Sequence, residues 1–230
     1  DFPPINKSLA KDDDKLKEIK APYKSNIKWM RPQTISKDVK FAVTEFSKCD
    51  LKFGQTSDAV FTSALGLLAI HANIENIFVD VENIFTMGYA VFQFFKNGEW
   101  RYVIVDTFIP YSPEKKTTLY SECGEPNECW VQLVEKAYAK LNGCYQNIQG
   151  MDICEVLVDL TGGVADKEEI DSEKYKEAKD AKDSTETAVL YSRIKSFISN
   201  KYILGCIKHV PSRHASAKEN GDRGIYENLY

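Results

Sequence analysis

The chain has 230 residues and a formal net charge of −4, from 30 basic and 34 acidic side chains. Hydrophobic residues make up 43% and charged residues 28%, which excludes both a disordered chain and a polytopic membrane protein. No basic excess points to nucleic acid, and the longest uncharged run, residues 59–74, is too short for a bilayer span of about 20 residues.

Residues 1–28 read as a polar N-terminal extension, in which Lys11 to Glu18 form a short solvated helix. The sequence starts at Asp1 with no apolar leader, so no secretory signal is expected. Residues 59–72 carry apolar side chains on nearly every face, the pattern of a helix in the middle of a core, with Ser57 and Asp58 as N-cap candidates. Two aromatic and β-branched runs, 89–95 and 100–107, flank Lys96-Asn97-Gly98-Glu99. Asn-Gly between such runs is a strong hairpin signal. A helix follows over 128–141, its stripe formed by Trp130, Leu133, Val134, Ala137 and Leu141, with Gly143 as the stop. Leu157 to Leu160 run into Thr161-Gly162-Gly163-Val164, a joint between two subdomains. Residues 166–183 are a mixed-charge loop or solvated helix. Residues 186–200 form a helix that buries Val189, Leu190, Ile194, Phe197 and Ile198, and 202–207 read as a strand.

Six cysteines and three histidines complete the reactive inventory, with no Cys-x-x-C pair. His209 and His214 have no cysteine pair upstream at zinc-finger spacing, and His71 reads as a structural histidine at a helix end. The thiols are expected to be free in a reducing compartment.

Several segments together resemble the calpain-type, papain-like cysteine proteases. Trp29-Met30-Arg31-Pro32-Gln33-Thr34-Ile35 is similar to the family's W-x-R-P-x-E-I. Phe92-Gln93-Phe94-Phe95-Lys96-Asn97-Gly98-Glu99-Trp100 resembles F-Q-F-W-x-x-G-E-W, and Val103 to Asp106 match the next strand. Glu135-Lys136-Ala137-Tyr138-Ala139-Lys140-Leu141-Asn142-Gly143 resembles E-K-A-Y-A-K-x-N-G. Asp159-Leu160-Thr161-Gly162-Gly163-Val164 resembles D-F-T-G-G-V, and Leu204-Gly205-Cys206 resembles the L-G-C strand. The resemblance implies an α+β, papain-like fold. Its first lobe, residues 29–152, would be helical with a β-hairpin, and its second, 153–230, a partial β-rich lobe.

At the chemistry the sequence departs from the family. The family's Q-G-x-L-G-D-C-W aligns without gaps to Phe53-Gly54-Gln55-Thr56-Ser57-Asp58-Ala59-Val60. Ala59 then stands at the nucleophile, Phe53 at the oxyanion glutamine and Val60 at the tryptophan. Gly224 to Tyr230 resemble the histidine segment, with Leu229 at the base position. The substrate-contacting Gly-Gly pair aligns to Gly150-Met151. The resemblance therefore implies a former substrate cleft at Val60, Gly150 and Met151, and no catalytic set.

The resemblance also implies calcium, for which Asp50 and Glu128 are the candidate ligands in the first lobe. Two carboxylates fall short of the 6–8 oxygens calcium takes, and an Asp cap and a helix-start Glu explain them equally. No other cofactor is expected.

Two functions stay open. One is a catalytically inactive calpain-like scaffold that binds protein partners in a cytoplasmic assembly, of the cytoskeletal or ciliary kind in which inactive relatives act. The other is a calcium-dependent intracellular cysteine endopeptidase whose nucleophile lies elsewhere. Cys129, at a helix N-terminus that would stabilise a thiolate, is its best candidate.

Overall fold

In the computed structural model, which describes residues 1–23, 26–43, 46, 51–54, 59–70, 74–169 and 185–206, Asn97 and Gly98 have φ of +56° and +85°. Positive φ at both central residues makes a two-residue turn whose twist matches the strands it joins. It connects β4 (Tyr89–Lys96) to β5 (Glu99–Asp106), paired in register from Lys96↔Glu99 to Tyr89↔Asp106. With β3 (Phe78–Asp80) they form an antiparallel sheet of order β3-β4-β5. Ala90, Phe92, Phe94, Val103 and Val105 point into the core, while Trp100, Tyr102 and Ile104 alternate with them and are exposed. On the β5 backbone, Lys140 Nζ donates to the Ile104 carbonyl at 2.7 Å.

Against this sheet lies α3 (Trp130–Leu141), with residues 130–139 all buried. α2 (Ala59–Ile70) is buried through Phe61, Ala64, Leu65 and Leu68, and Phe61 stacks on Tyr138 of α3 at 4.7 Å between centroids. The apolar surround read in the sequence is thus met by packing on several sides. β1 (Lys28–Met30), β6 (Ile109–Ser112) and β7 (Thr117–Thr118) form a second sheet. β2 (Leu51–Lys52) pairs β8 (Glu122–Cys123) across two residues.

Upstream, α1 (Asp13–Lys20) is capped by Asp12, whose side chain accepts from the amides of Asp14 and Lys15. The segment before it is more apolar in its placement than its composition implies: Phe2, Leu9 and Ala10 are buried, as is Ile19 of α1 itself.

The tryptophan–arginine signature has a concrete role. Arg31 Nη1 donates to Thr107 Oγ1 at 2.6 Å and to the Gly88 carbonyl at 3.3 Å, with its guanidinium over the Phe108 ring. Gly88, at φ +72°, leaves room for it, because a Cβ there would come within 2.7 Å of Nη1.

α4 (Ile153–Thr161) is a helix where the sequence reading has only a run into a joint. Asp152 caps it by accepting from the Cys154 amide, and Gly162 at φ +68° ends it. It packs on β4 and α2. Lys96 Nζ reaches it from the hairpin, donating to Asp159 Oδ2 at 2.6 Å and Glu155 Oε1 at 3.0 Å. Burial alone would lower the Lys96 pKa, but the hydrogen bonds and charges of Asp159 and Glu155 raise it overall.

The chain forms two compact units, Asp1–Val164 and Ala165–Tyr230. In the second, α5 (Thr185–Ser199) agrees with the expected helix, but its stripe is not buried: Val189 is 53% and Ile198 62% exposed. Nor do residues 202–206 form a strand. The chain instead turns back on the helix. Lys201 takes φ +59°, its amide donates to the Ile198 carbonyl, and the Tyr202 amide donates to the Phe197 carbonyl at 3.0 Å. The Phe197 and Tyr202 rings meet at 5.5 Å. This is a Schellman stop with its usual apolar contact, here with lysine in the left-handed position. No described residue pairs with 202–206, and an unpaired strand leaves its backbone groups unsatisfied.

A buried ammonium fastens the first unit. Lys136 Nζ donates to Asp106 Oδ1 at 2.6 Å, the Asp106 carbonyl at 3.0 Å and the Phe108 carbonyl at 2.6 Å, and it faces the Trp29 ring. Burial lowers its pKa to about 8, against the hydrogen bond and charge of Asp106 and aided by the charges of Arg31 and Lys140. From that value up to its ordinary 10.5, the folded chain has shed this proton while the unfolded chain keeps it. Stability therefore rises with pH across that window through this residue. Urea midpoints of wild type and Lys136→Met at pH 7.5 and 9.5 test this. The wild type should gain relative to the variant at the higher pH, and a constant difference would refute it.

Candidate functional site: the entrance to helix α2

The β2–β8 pairing delivers the chain to Phe53 and Gly54, just ahead of α2. Phe53 is 52% exposed and its ring offers no hydrogen-bond donor. Gly54 lies hard against the backbone of residue 120: a Cβ there would stand 2.0 Å from the Tyr120 carbonyl oxygen. Its lack of a side chain is required by space. Ala59 is the first residue of α2 and, like Val60, is half-buried. The amide groups of that end would favour an anion, yet the side chain there is a methyl.

One turn further, Thr62 Oγ1 and Ser121 Oγ share a buried hydrogen bond of 2.6 Å. Glu135 Oε2 accepts from the Ser121 amide at 2.9 Å. These groups hold α2, α3 and the 119–121 segment together. Gly150 is exposed at φ +72°, and a Cβ there would meet nothing within 4 Å, so its backbone rather than its surroundings favours glycine. The half-buried Met151 places its sulfur 3.7 Å from the Tyr138 hydroxyl, which donates to Asp159 Oδ2 at 2.8 Å. Burial and the Asp159 charge push that hydroxyl's pKa well up, so it stays a donor. Through Tyr138 and Phe61, Met151 is linked by packing to α2.

The model of the calpain family cysteine protease matches residues 1–228. The chain belongs to the calpain family of cysteine proteases. It is similar to Calpain-A of Drosophila melanogaster, 35% identical over 61% of this chain and 17% of that protein. It is 34% identical to the calpain-2 catalytic subunit of Rattus norvegicus over 72% of this chain and 23% of that protein. To the calpain-type cysteine protease DEK1 of Zea mays it is 30% identical over 89% of this chain and 9% of that protein. The chain thus spans less than a quarter of the length of these relatives. Its α+β architecture is that of a calpain core.

Within this calpain core, Cys129 does not meet the needs of a nucleophile. It sits at the N-cap of α3, but it is 1% exposed and its thiol lies 3.5 Å from the Lys40 carbonyl, as a donor to it. Burial, with the nearby Glu128 charge, pushes its pKa up to about 12. The thiolate that a helix end could favour is outweighed by the loss of water. Cys144 is buried too, and Cys206 is exposed in the second unit.

Glu128 is 4% exposed and its Oε1 accepts from the Val43 amide, while the backbones of Lys40 and Glu128 meet in an isolated parallel β-bridge and the Lys40 amide donates to the Asn127 carbonyl at 2.7 Å. The carboxylate thus holds the 40–43 segment. Among the described residues no three histidine, cysteine or acidic side chains converge as a metal site. Asp50, Ser57, Asp58, His71, His209, His214 and Leu229 lie outside the described residues. No described helix is long and apolar enough to cross a membrane.

The sequence reading missed the buried polar groups Thr62, Ser121, Glu135, Lys136 and Asp159. The helical pattern carried no signal for Glu135 and Lys136, because they lie on the face of α3 opposite its apolar stripe.

Proposed function

We propose that this chain is a catalytically inactive calpain-family module that serves as a structural or protein-binding scaffold in a larger assembly. The observation that carries the reading is the methyl of Ala59 at the first position of α2, where the family alignment places the attacking sulfur. A methyl has no lone pair to attack a carbonyl. Phe53 removes the oxyanion donor, and the buried, high-pKa Cys129 offers no replacement. The cytoskeletal or ciliary host in this reading comes only from what the family resemblance implies about inactive members, and the sequence itself names no assembly. Retention of the calpain core around a degenerate centre supports a binding role.

Ala59→Cys tests this. Loss of an oxyanion donor by itself costs about 10²–10³ in turnover. The variant should therefore remain at least that far below an intact calpain core on a fluorogenic peptide with calcium. Near-normal hydrolysis after this one change would overturn the reading. So would turnover by the wild type that is abolished by Cys129→Ala.

A further inference from the structure

The first ten residues and the former catalytic entrance are joined by a short run of contacts. Phe2 is buried against Tyr145, with ring centroids 6.0 Å apart and planes tilted by 52°. Tyr145, fully enclosed, stacks on Tyr120 at 4.0 Å with planes within 6°. The Tyr120 carbonyl is the atom pressed against Gly54. Tyr120 is only 3% exposed, and the residues on either side of it are tied down, Leu119 by its amide to the Pro110 carbonyl and Ser121 by its amide to Glu135.

The N-terminal segment is itself fastened. Leu9 is fully buried, Ser8 Oγ donates to the Pro3 carbonyl at 2.6 Å, and the Lys11 amide donates to Gln146 Oε1 at 3.0 Å. Lys20 Nζ of α1 donates to Asn6 Oδ1 at 2.8 Å.

We propose that residues 2–10 form an intramolecular brace that sets the rigidity of the Phe53–Gly54 segment through Tyr145 and Tyr120. Its release loosens the entrance to α2 without opening the hairpin sheet. The physical warrant is close packing. A buried aromatic ring that packs on two others has few alternative positions, and a glycine closed against a carbonyl moves only if that carbonyl moves. A segment made of one helical turn and a few anchors is also the kind of element that opens locally below the global free energy. The brace is independent of whether the site retains chemistry, because it acts on the backbone at Gly54.

Amide hydrogen exchange on the full chain, resolved by peptide, tests it with Phe2→Ala and Leu9→Ala. Exchange in peptides covering 51–54 should accelerate at least about tenfold in both variants, while the β4–β5 hairpin stays within about twofold of wild type. Acceleration confined to residues 2–10 would overturn the proposal. Equal acceleration of the entrance and the hairpin would also overturn it, since that is loss of global stability. If either alanine variant fails to fold, Phe2→Leu keeps an apolar side chain of most of the volume and removes the ring contact. The same selective acceleration, smaller in size, is then required.

Discussion

Gly54→Ala should destabilise the first unit by at least about 3 kcal/mol, one of the two largest effects of any single substitution considered. The new Cβ would lie 2.0 Å from the Tyr120 carbonyl oxygen, and backbone cannot be displaced as a side-chain tip can. Ordinary overpacking costs about 1–3 kcal/mol because neighbouring side chains yield. Here the opposing carbonyl sits between Leu119 and Ser121, both held by hydrogen bonds, under a stacked ring. A domain of this size loses roughly 2–4 °C of Tm per kcal/mol, so a drop of about 6–12 °C is expected in thermal unfolding. A shift within about 1 °C would mean the 119–121 segment moves freely, and the brace proposal would fall with it.

Asp159→Ala should cost a similar amount, about 3 kcal/mol. Asp159 is 3% exposed and receives both Lys96 Nζ and the Tyr138 hydroxyl on the same oxygen. Breaking one half of a buried pair usually costs about 3–5 kcal/mol, since the other half keeps its desolvation penalty. Glu155 still faces Lys96, which places the expectation at the lower end. Asp159→Asn keeps an acceptor for Tyr138 and should lose about half as much. In urea unfolding, the double variant Lys96→Met with Asp159→Ala should cost clearly less than the two single changes added together. Strict additivity would show that the ion pair does not join the hairpin to α4.

The parts of this fold that were legible in the sequence are those set by neighbours in the chain. The Asn97-Gly98 turn needs two positive φ values and advertises them in its residue types, and α2 announces itself by an apolar surround. α4 was missed although Asp152 and Gly162 mark both its ends. It is short, and its apolar run from Leu157 to Leu160 does not by itself distinguish a helix from an extended segment. The stripe of α5 was read as buried because periodicity reports which face is apolar and says nothing of what meets it. Cys129 shows the same limit in the site. The helix start near it was legible, but the burial that raises its pKa depends on residues about 90 positions away, at Lys40. Lys136 and Asp159 likewise find partners 28 to 63 positions distant, at Phe108, Asp106 and Lys96. The reading of Phe53 and Ala59 rests on the resemblance alone, since a phenylalanine and an alanine near a helix start carry no chemical signal of their own.

The lysine on the Ile104 carbonyl has a bearing on how the molecule behaves at high concentration. A row of Trp100, Tyr102 and Ile104 beside an outer strand would ordinarily recruit further copies, each adding its own strand to the last. With an ammonium seated on that border, a newcomer must first displace a charge from the carbonyl it would need, which makes strand addition there less favourable.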